Sequence, residues 1–188
     1  MQLWVGLGNP GANHALNRHN VGFMAVDAIA EIHGFDPWKK QFQGWATAGR
    51  IGTDRVLLLK PATYMNESGR AIRAALDFYK LAPADVTVFH DELDLLPLKL
   101  KVKTGGGTAG QNGLKSTVAH ISPDFRRVRI GIGHPGHKDR VTGHVLSNWH
   151  KSEIDALGDL LGAIAAEAPA LAVGDDAGFM NAVALRLE

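Results

Sequence analysis

The sequence predicts an α/β fold: a single domain over residues 1–188, with a twisted, mixed and largely parallel sheet flanked by helices. Two observations carry this reading. Short apolar runs of strand length alternate along the chain with longer segments whose apolar residues recur at helical spacing, the pattern of βα units. No repeat or linker divides the 188 residues, a length that suits one domain with a sizeable core.

Taken in order, Leu3–Leu7 reads as a buried strand, and Gly8-Asn9-Pro10-Gly11 turns the chain after it. Val21–His33 has helical spacing and is closed by Gly34. Phe35–Gly44 reads as a loop. Trp45–Arg50 and Arg55–Lys60 form a hairpin about the turn Ile51–Asp54. Glu67–Lys80 is an amphipathic helix carrying Ala71, Ala74, Ala75, Phe78 and Tyr79 on its apolar side. Asp85–Phe89 is a strand that runs into His90-Asp91-Glu92. Leu98–Lys103 alternates, so Lys99, Lys101 and Lys103 share one face. Thr104–Gly113 is a glycine loop, Leu114–Ile121 a short helix, Arg127–Ile132 a strand and Gly133–Arg140 a loop. Ser152 is placed to cap a long helix with Glu153 and Asp155 in its first turn. Pro169 should kink or end that helix, and Ala177–Leu187 is the last one.

Composition excludes several classes. With no cysteine, disulfides and iron–sulfur clusters are ruled out and a cytoplasmic setting is favoured. No secretory leader is expected, because the start lacks a positive segment and Asn9-Pro10 interrupts its apolar run. No stretch approaches the ~20 apolar residues of a membrane span; the best, Leu160–Val173, contains Glu167 and Pro169. A net charge of +1 excludes a globally basic nucleic-acid coat. Locally, nine Lys/Arg face two Asp between Leu96 and Arg140, whereas seven acids face one Arg between Ser152 and Glu188. Such segregation points to a focused anionic ligand such as a phosphate backbone, or to solvated faces that happen to separate.

Gly6-Leu7-Gly8-Asn9-Pro10-Gly11 matches G-x-G-x-x-G after a strand, but a dinucleotide turn opens a helix directly. Here Pro10 and the polar segment Ala12–Asn20 intervene, and the acids in range, Asp27 and Glu31, fall on the predicted helix. No nucleotide cofactor is therefore expected. His19, between Arg18 and Asn20 at the start of a helix, suits a general base. Asp91, past the end of a buried strand, is either its orienting acceptor or a turn-capping carboxylate. Asn9 is a nearby positioning group. Asn66 and Asn112 each stand where they would cap a helix or offer an amide to a substrate. There is no G-x-S-x-G and no cysteine, so water is the expected nucleophile. No H-E-x-x-H occurs, and His134 and His137 lack a third ligand, so no metal is expected either.

These segments fall in a specific order: Gly6–Gly11, Arg18-His19-Asn20-Val21-Gly22, Pro61–Gly69 (PATYMNESG), His90–Asp94 (HDELD), Gly105-Gly106-Gly107 with Asn112–Lys115 (NGLK), and Arg129–Pro135 (RIGIGHP). The chain in this respect strongly resembles the bacterial-type peptidyl-tRNA hydrolases. The resemblance implies a monomeric, metal-free cytoplasmic esterase acting on peptidyl-tRNA. It further implies that His19 is the catalytic base, that Asp91 keeps it able to accept a proton, and that Asn9 discriminates blocked from free aminoacyl ends. Tyr64, Asn66 and Asn112 would contact substrate, and Lys103 and Arg129 would hold tRNA phosphate. Three positions depart from the family pattern: His14, a substrate-contact position where tyrosine is usual, Asn17 in place of threonine, and Gln111 where histidine is common. The competing reading is a non-catalytic tRNA- or RNA-binding module, which the same basic region would serve.

Overall fold

The computed structural model describes all 188 residues, Met1–Glu188. Seven strands form one sheet: β1 (Gln2–Gly6), β2 (Lys39–Gln41), β3 (Gly44–Ile51), β4 (Asp54–Pro61), β5 (Val86–Glu92), β6 (Leu100–Thr104) and β7 (Arg126–Gly131). Their spatial order is β2-β3-β4-β1-β5-β7-β6. The central pairs β4–β1, β1–β5 and β5–β7 are parallel, and the outer pairs are antiparallel. Six helices accompany them: α1 (Val21–Ile32), α2 (Ser68–Tyr79), α3 (Asn112–Ile121), α4 (Val141–Val145), α5 (Lys151–Ala172) and α6 (Asp176–Arg186).

The parallel strands are apolar without alternation because both faces are covered. Trp4, Leu58, Phe89, Val128 and Ile130 point into a core shared with α1, α5 and α6. Leu3, Val5, Leu57, Leu59, Val86 and Val88 point into a second core beneath α2 and α3. From β1 the chain passes through α1 to the far edge at β2 and builds the sheet back inward through β3 to β4, which lies beside β1. It then crosses over β1 by way of α2 to lay down β5 on the other side. The carboxyl ends of β1 and β5 therefore flank the switch point, where open α/β sheets bind ligands.

Gly6 of the first motif, with Gly22 of the second, serves close packing. A Cβ at Gly22 would lie 2.3 Å from Phe89 O, and one at Gly6 would lie 2.2 Å from Gly22 O, so α1 presses backbone to backbone onto β1 and β5.

Several local expectations are corrected. Phe35–Gly44 is not all loop: β2 pairs with β3 through the two-residue turn Phe42-Gln43. Both turn residues are left-handed (φ 54° and 56°), which without glycine or asparagine gives no sequence signal. Phe42 is held there by edge contacts with Phe78 and Tyr79, 5.4 and 5.9 Å between ring centroids. Phe78 consequently stays exposed instead of joining the core. The cap of α5 is His150, not Ser152, with Glu153 accepting from His150 N at 3.0 Å. The cap of α3 is Gln111, and Asn112 is its first helical residue. Asn66 caps nothing, since a 3-10 turn over Met65–Glu67 precedes α2. Pro169 does not end α5, which runs on to Ala172. Proline removes the N–H that would bond Ala165 O, and His33 Nε2 takes that carbonyl instead at 2.7 Å. No helix is long and apolar enough to cross a membrane.

Candidate active site

A crevice of about 280 Å³ opens at the carboxyl edge of β1 and β5. Its walls come from the loop after β1, the segment after β4, the end of β5, the end of the glycine loop and the apolar side of α4.

The Arg-His-Asn triplet just before α1 is held from both sides. The Arg18 guanidinium, 4% exposed, donates to Ser147 Oγ and Asn148 O and reaches Glu153 at 3.4 Å, which ties the turn to the α4–α5 connection. On the other side Asn20 Oδ1 accepts from Asn9 N and Asn20 Nδ2 donates to Asn9 O, both at 2.9 Å. His19 is thereby fixed between two anchors. Its Nδ1 lies 2.7 Å from Asp91 Oδ2, and both residues are buried. With Nδ1–H donated to the carboxylate, Nε2 carries the lone pair. The crevice is lined by His19.

Asp91 has a second partner that sequence reasoning did not place in the site. Gln111 Nε2 donates to Asp91 Oδ1 at 2.9 Å while Gln111 Oε1 accepts from Leu114 N at 2.8 Å. Asn9 lines the crevice, and its Oδ1 accepts from Met65 N at 2.8 Å, so its Nδ2 is the free donor. Tyr64, Asn66 and Asn112 also line the crevice and are exposed. His14 does not line it; its Nδ1 bonds Asn17 Oδ1 at 2.8 Å, so two of the three departures from the family pattern are partners of each other. Val141, Val145 and Leu146 form an apolar wall that the sequence did not reveal, because a five-residue helix gives too short a pattern to read.

The basic region divides into buried struts and exposed charges. Arg126 is a strut, bonded to Thr87 Oγ1, Leu171 O and Asp176, and burial pushes its guanidinium below the usual arginine range. Arg127 is another: it donates to Gly107 O and to Pro123 O, packs 4.4 Å over the Phe125 ring, and so pins the glycine loop from beneath. Burial and then the neighbouring Arg129 lower its pKa as well. Arg129 pairs with Glu92 at 3.0 Å. Lys101 and Lys103 stay exposed on β6 and Lys99 just before it, since the strand begins at Leu100 rather than Leu98. Lys103, Arg127 and Arg129 line a smaller cavity beside the crevice, with His90 at its edge. Burial holds the His90 imidazole below its ordinary range, against the pull of Asp91 and Glu92, and its Nε2 has no partner. No three His, Asp or Glu side chains converge as a metal-binding group.

A histidine paired with a buried carboxylate, opening on a crevice at the switch point of a doubly covered sheet, places the protein among hydrolases built on α/β scaffolds. Its sequence narrows this further. Residues 3–187 match the family model described as peptidyl-tRNA hydrolase. Peptidyl-tRNA hydrolases of Rhizorhabdus wittichii and Sphingopyxis alaskensis are 72% and 71% identical, over 100% of this chain and 99% and 100% of theirs. The crystal structure of peptidyl-tRNA hydrolase from Acinetobacter baumannii superposes with a TM-score of 0.92 at 42% identity, covering 97% of this chain and 94% of that one. The chain belongs to the peptidyl-tRNA hydrolase family.

Proposed function

We propose that this chain hydrolyses the ester between a peptide, or an N-blocked aminoacyl group, and the 3′-terminal ribose of tRNA, and so recycles tRNA from peptidyl-tRNA released by ribosomes. The observation that carries the reading is the 2.7 Å contact of His19 Nδ1 with Asp91 Oδ2 in the crevice. His19 Nε2 takes a proton from water, and the hydroxide oxygen adds to the ester carbonyl carbon. The carbon–ribose oxygen bond then breaks, and the leaving oxygen recovers the proton from the imidazolium. The products are a peptide carboxylate and tRNA with a free ribose hydroxyl. Asp91 fixes the imidazole tautomer and stabilises its cation. No metal or cofactor is needed for these steps.

Asn9, with Nδ2 directed by its bond to Met65 N, donates to a peptide carbonyl and favours blocked over free aminoacyl ends. Asn66 and Asn112 offer uncommitted amides to the peptide or to the oxyanion, and Tyr64 offers a 64% exposed ring. His14, which does not line the crevice, is the remaining contact. Lys103 and Arg129, in the cavity next to the crevice that Glu92 and Asp94 also line, hold tRNA phosphate. The protein works as a monomer in the cytoplasm. Incubation with an N-blocked aminoacyl-tRNA should release the blocked amino acid with turnover. Saturable binding without turnover would instead establish the non-catalytic RNA-binding module, a reading that relatives named as hydrolases do not favour.

A further inference from the structure

We infer that Gln111 is a positioning residue of the catalytic pair: its carboxamide holds the far oxygen of Asp91 and thereby aims the near one at His19. The inference rests on the proposed hydrolysis and adds a residue to it.

The geometry leaves Gln111 a single orientation. It is buried at 8% exposure, and each of its polar positions is taken. Oε1 accepts from Leu114 N at 2.8 Å, and Nε2 donates to Asp91 Oδ1 at 2.9 Å and to Met65 Sδ at 3.3 Å. Turning the amide over would set an N–H against the Leu114 N–H and an oxygen against a carboxylate. The backbone N–H of Leu114 therefore dictates that Asp91 receives a donor. Asp91, 2% exposed, has no other hydrogen bond through Oδ1. Without Gln111 it would carry an unpartnered buried oxygen and gain freedom to rotate away from His19.

The choice of residue supports a double task. The best helix N-caps are Ser, Thr, Asp and Asn, whose short side chains reach the first turn. A glutamine is longer than a cap requires. Its length spans from the first turn of α3 to the end of β5, which a serine at the same place does not. Gln111 also follows two left-handed residues, Ala109 and Gly110 (φ 48° and 78°), so it is the point where the glycine loop becomes fixed. Being neutral, it steadies the carboxylate without titrating beside it.

Two variants separate the tasks. Gln111→Ser keeps a good cap and removes the donor; Gln111→Met keeps the volume and removes both. We expect both to lose about 10- to 10²-fold in kcat, the scale of a misplaced reacting group, with KM within a few-fold of the parent; both melt earlier because Asp91 Oδ1 is left unpartnered, and Gln111→Met the more so because it also loses the cap. The pH profile should also move. Once Asp91 is free to turn away, a His19 imidazolium loses its carboxylate partner, so the ascending limb of kcat/KM shifts to lower pH. The other titratable groups around the pair are Glu92, bound to Arg129, the buried His90 next to Asp91, and Tyr64 on the crevice wall, and neither variant touches them. A Gln111→Ser protein with the parent kcat and an unmoved limb would reduce Gln111 to a cap. Should that variant fail to fold, an unmoved limb in Gln111→Met would likewise leave Gln111 as a cap alone. A parent protein without turnover would instead defeat the proposed hydrolysis itself.

Discussion

His19, the proposed base, is held in place by neighbours on either side that are themselves anchored. Replacing His19 by alanine removes the proposed base and leaves both anchors in place. Activity should fall by at least ~10² in kcat while the circular dichroism and melting temperature stay near the parent values; near-parental turnover would exclude His19 as base. Asn20→Ala acts differently. It removes both bonds to the Asn9 backbone, one of them leaving a buried N–H unpaired, so stability should drop by about 1–3 kcal/mol in urea unfolding. Because Asn9 and His19 both sit on that clamp, kcat should fall with it. A variant as stable as its parent would show that the clamp does not hold these two segments together.

At the scale of elements, α5 and α1 are joined by a bond that proline makes available. Ala165 is fully buried, so the carbonyl it offers to His33 has no solvent to fall back on. His33→Ala should cost about 1–3 kcal/mol. In a Pro169→Ala background, where residue 169 regains an N–H for the same carbonyl, the cost of His33→Ala should shrink. Equal costs in the two backgrounds, measured by denaturant unfolding of the four proteins, would dismiss the coupling. Such long-range repairs are what local patterns cannot show. The strands β1, β5 and β7 and the helices α1, α2 and α6 were legible from apolar spacing, as was the meeting of sites after β1 and after β5. The turn at Phe42-Gln43 was not, because its left-handed backbone is held by aromatic rings on α2 rather than by its own residues. Gln111 was legible only as a departure from a family pattern; its bond to Asp91 spans twenty residues and two elements. The basic run from Leu96 to Arg140 was read too broadly, since Arg126 and Arg127 are committed inside the fold.

For the molecule as a whole, pH and salt give two further tests. The unfolded chain protonates His90 near its ordinary 6.5, whereas burial keeps the folded imidazole neutral to lower pH. Below about 6.5 the unfolded state then binds more protons, so stability is full above that value and falls on acidification until the folded imidazole also protonates. The melting temperature should drop between about pH 7 and about pH 5, and drop less in His90→Gln; identical curves would acquit His90. If three phosphates are held, substrate binding should weaken with salt at a log–log slope near about −2, and Lys103→Ala should flatten it by about 0.7. A slope unchanged in that variant would take Lys103 out of the contact. The two rims of the sheet, finally, are both guarded by ammonium groups: β2, three residues long, bears Lys39 and Lys40, and β6 bears Lys101 and Lys103. An unpaired strand is a template for another chain, and charge with brevity is how natural sheets refuse it. Neutralising those lysines should therefore cost this protein its resistance to edgewise self-association well before it costs the fold.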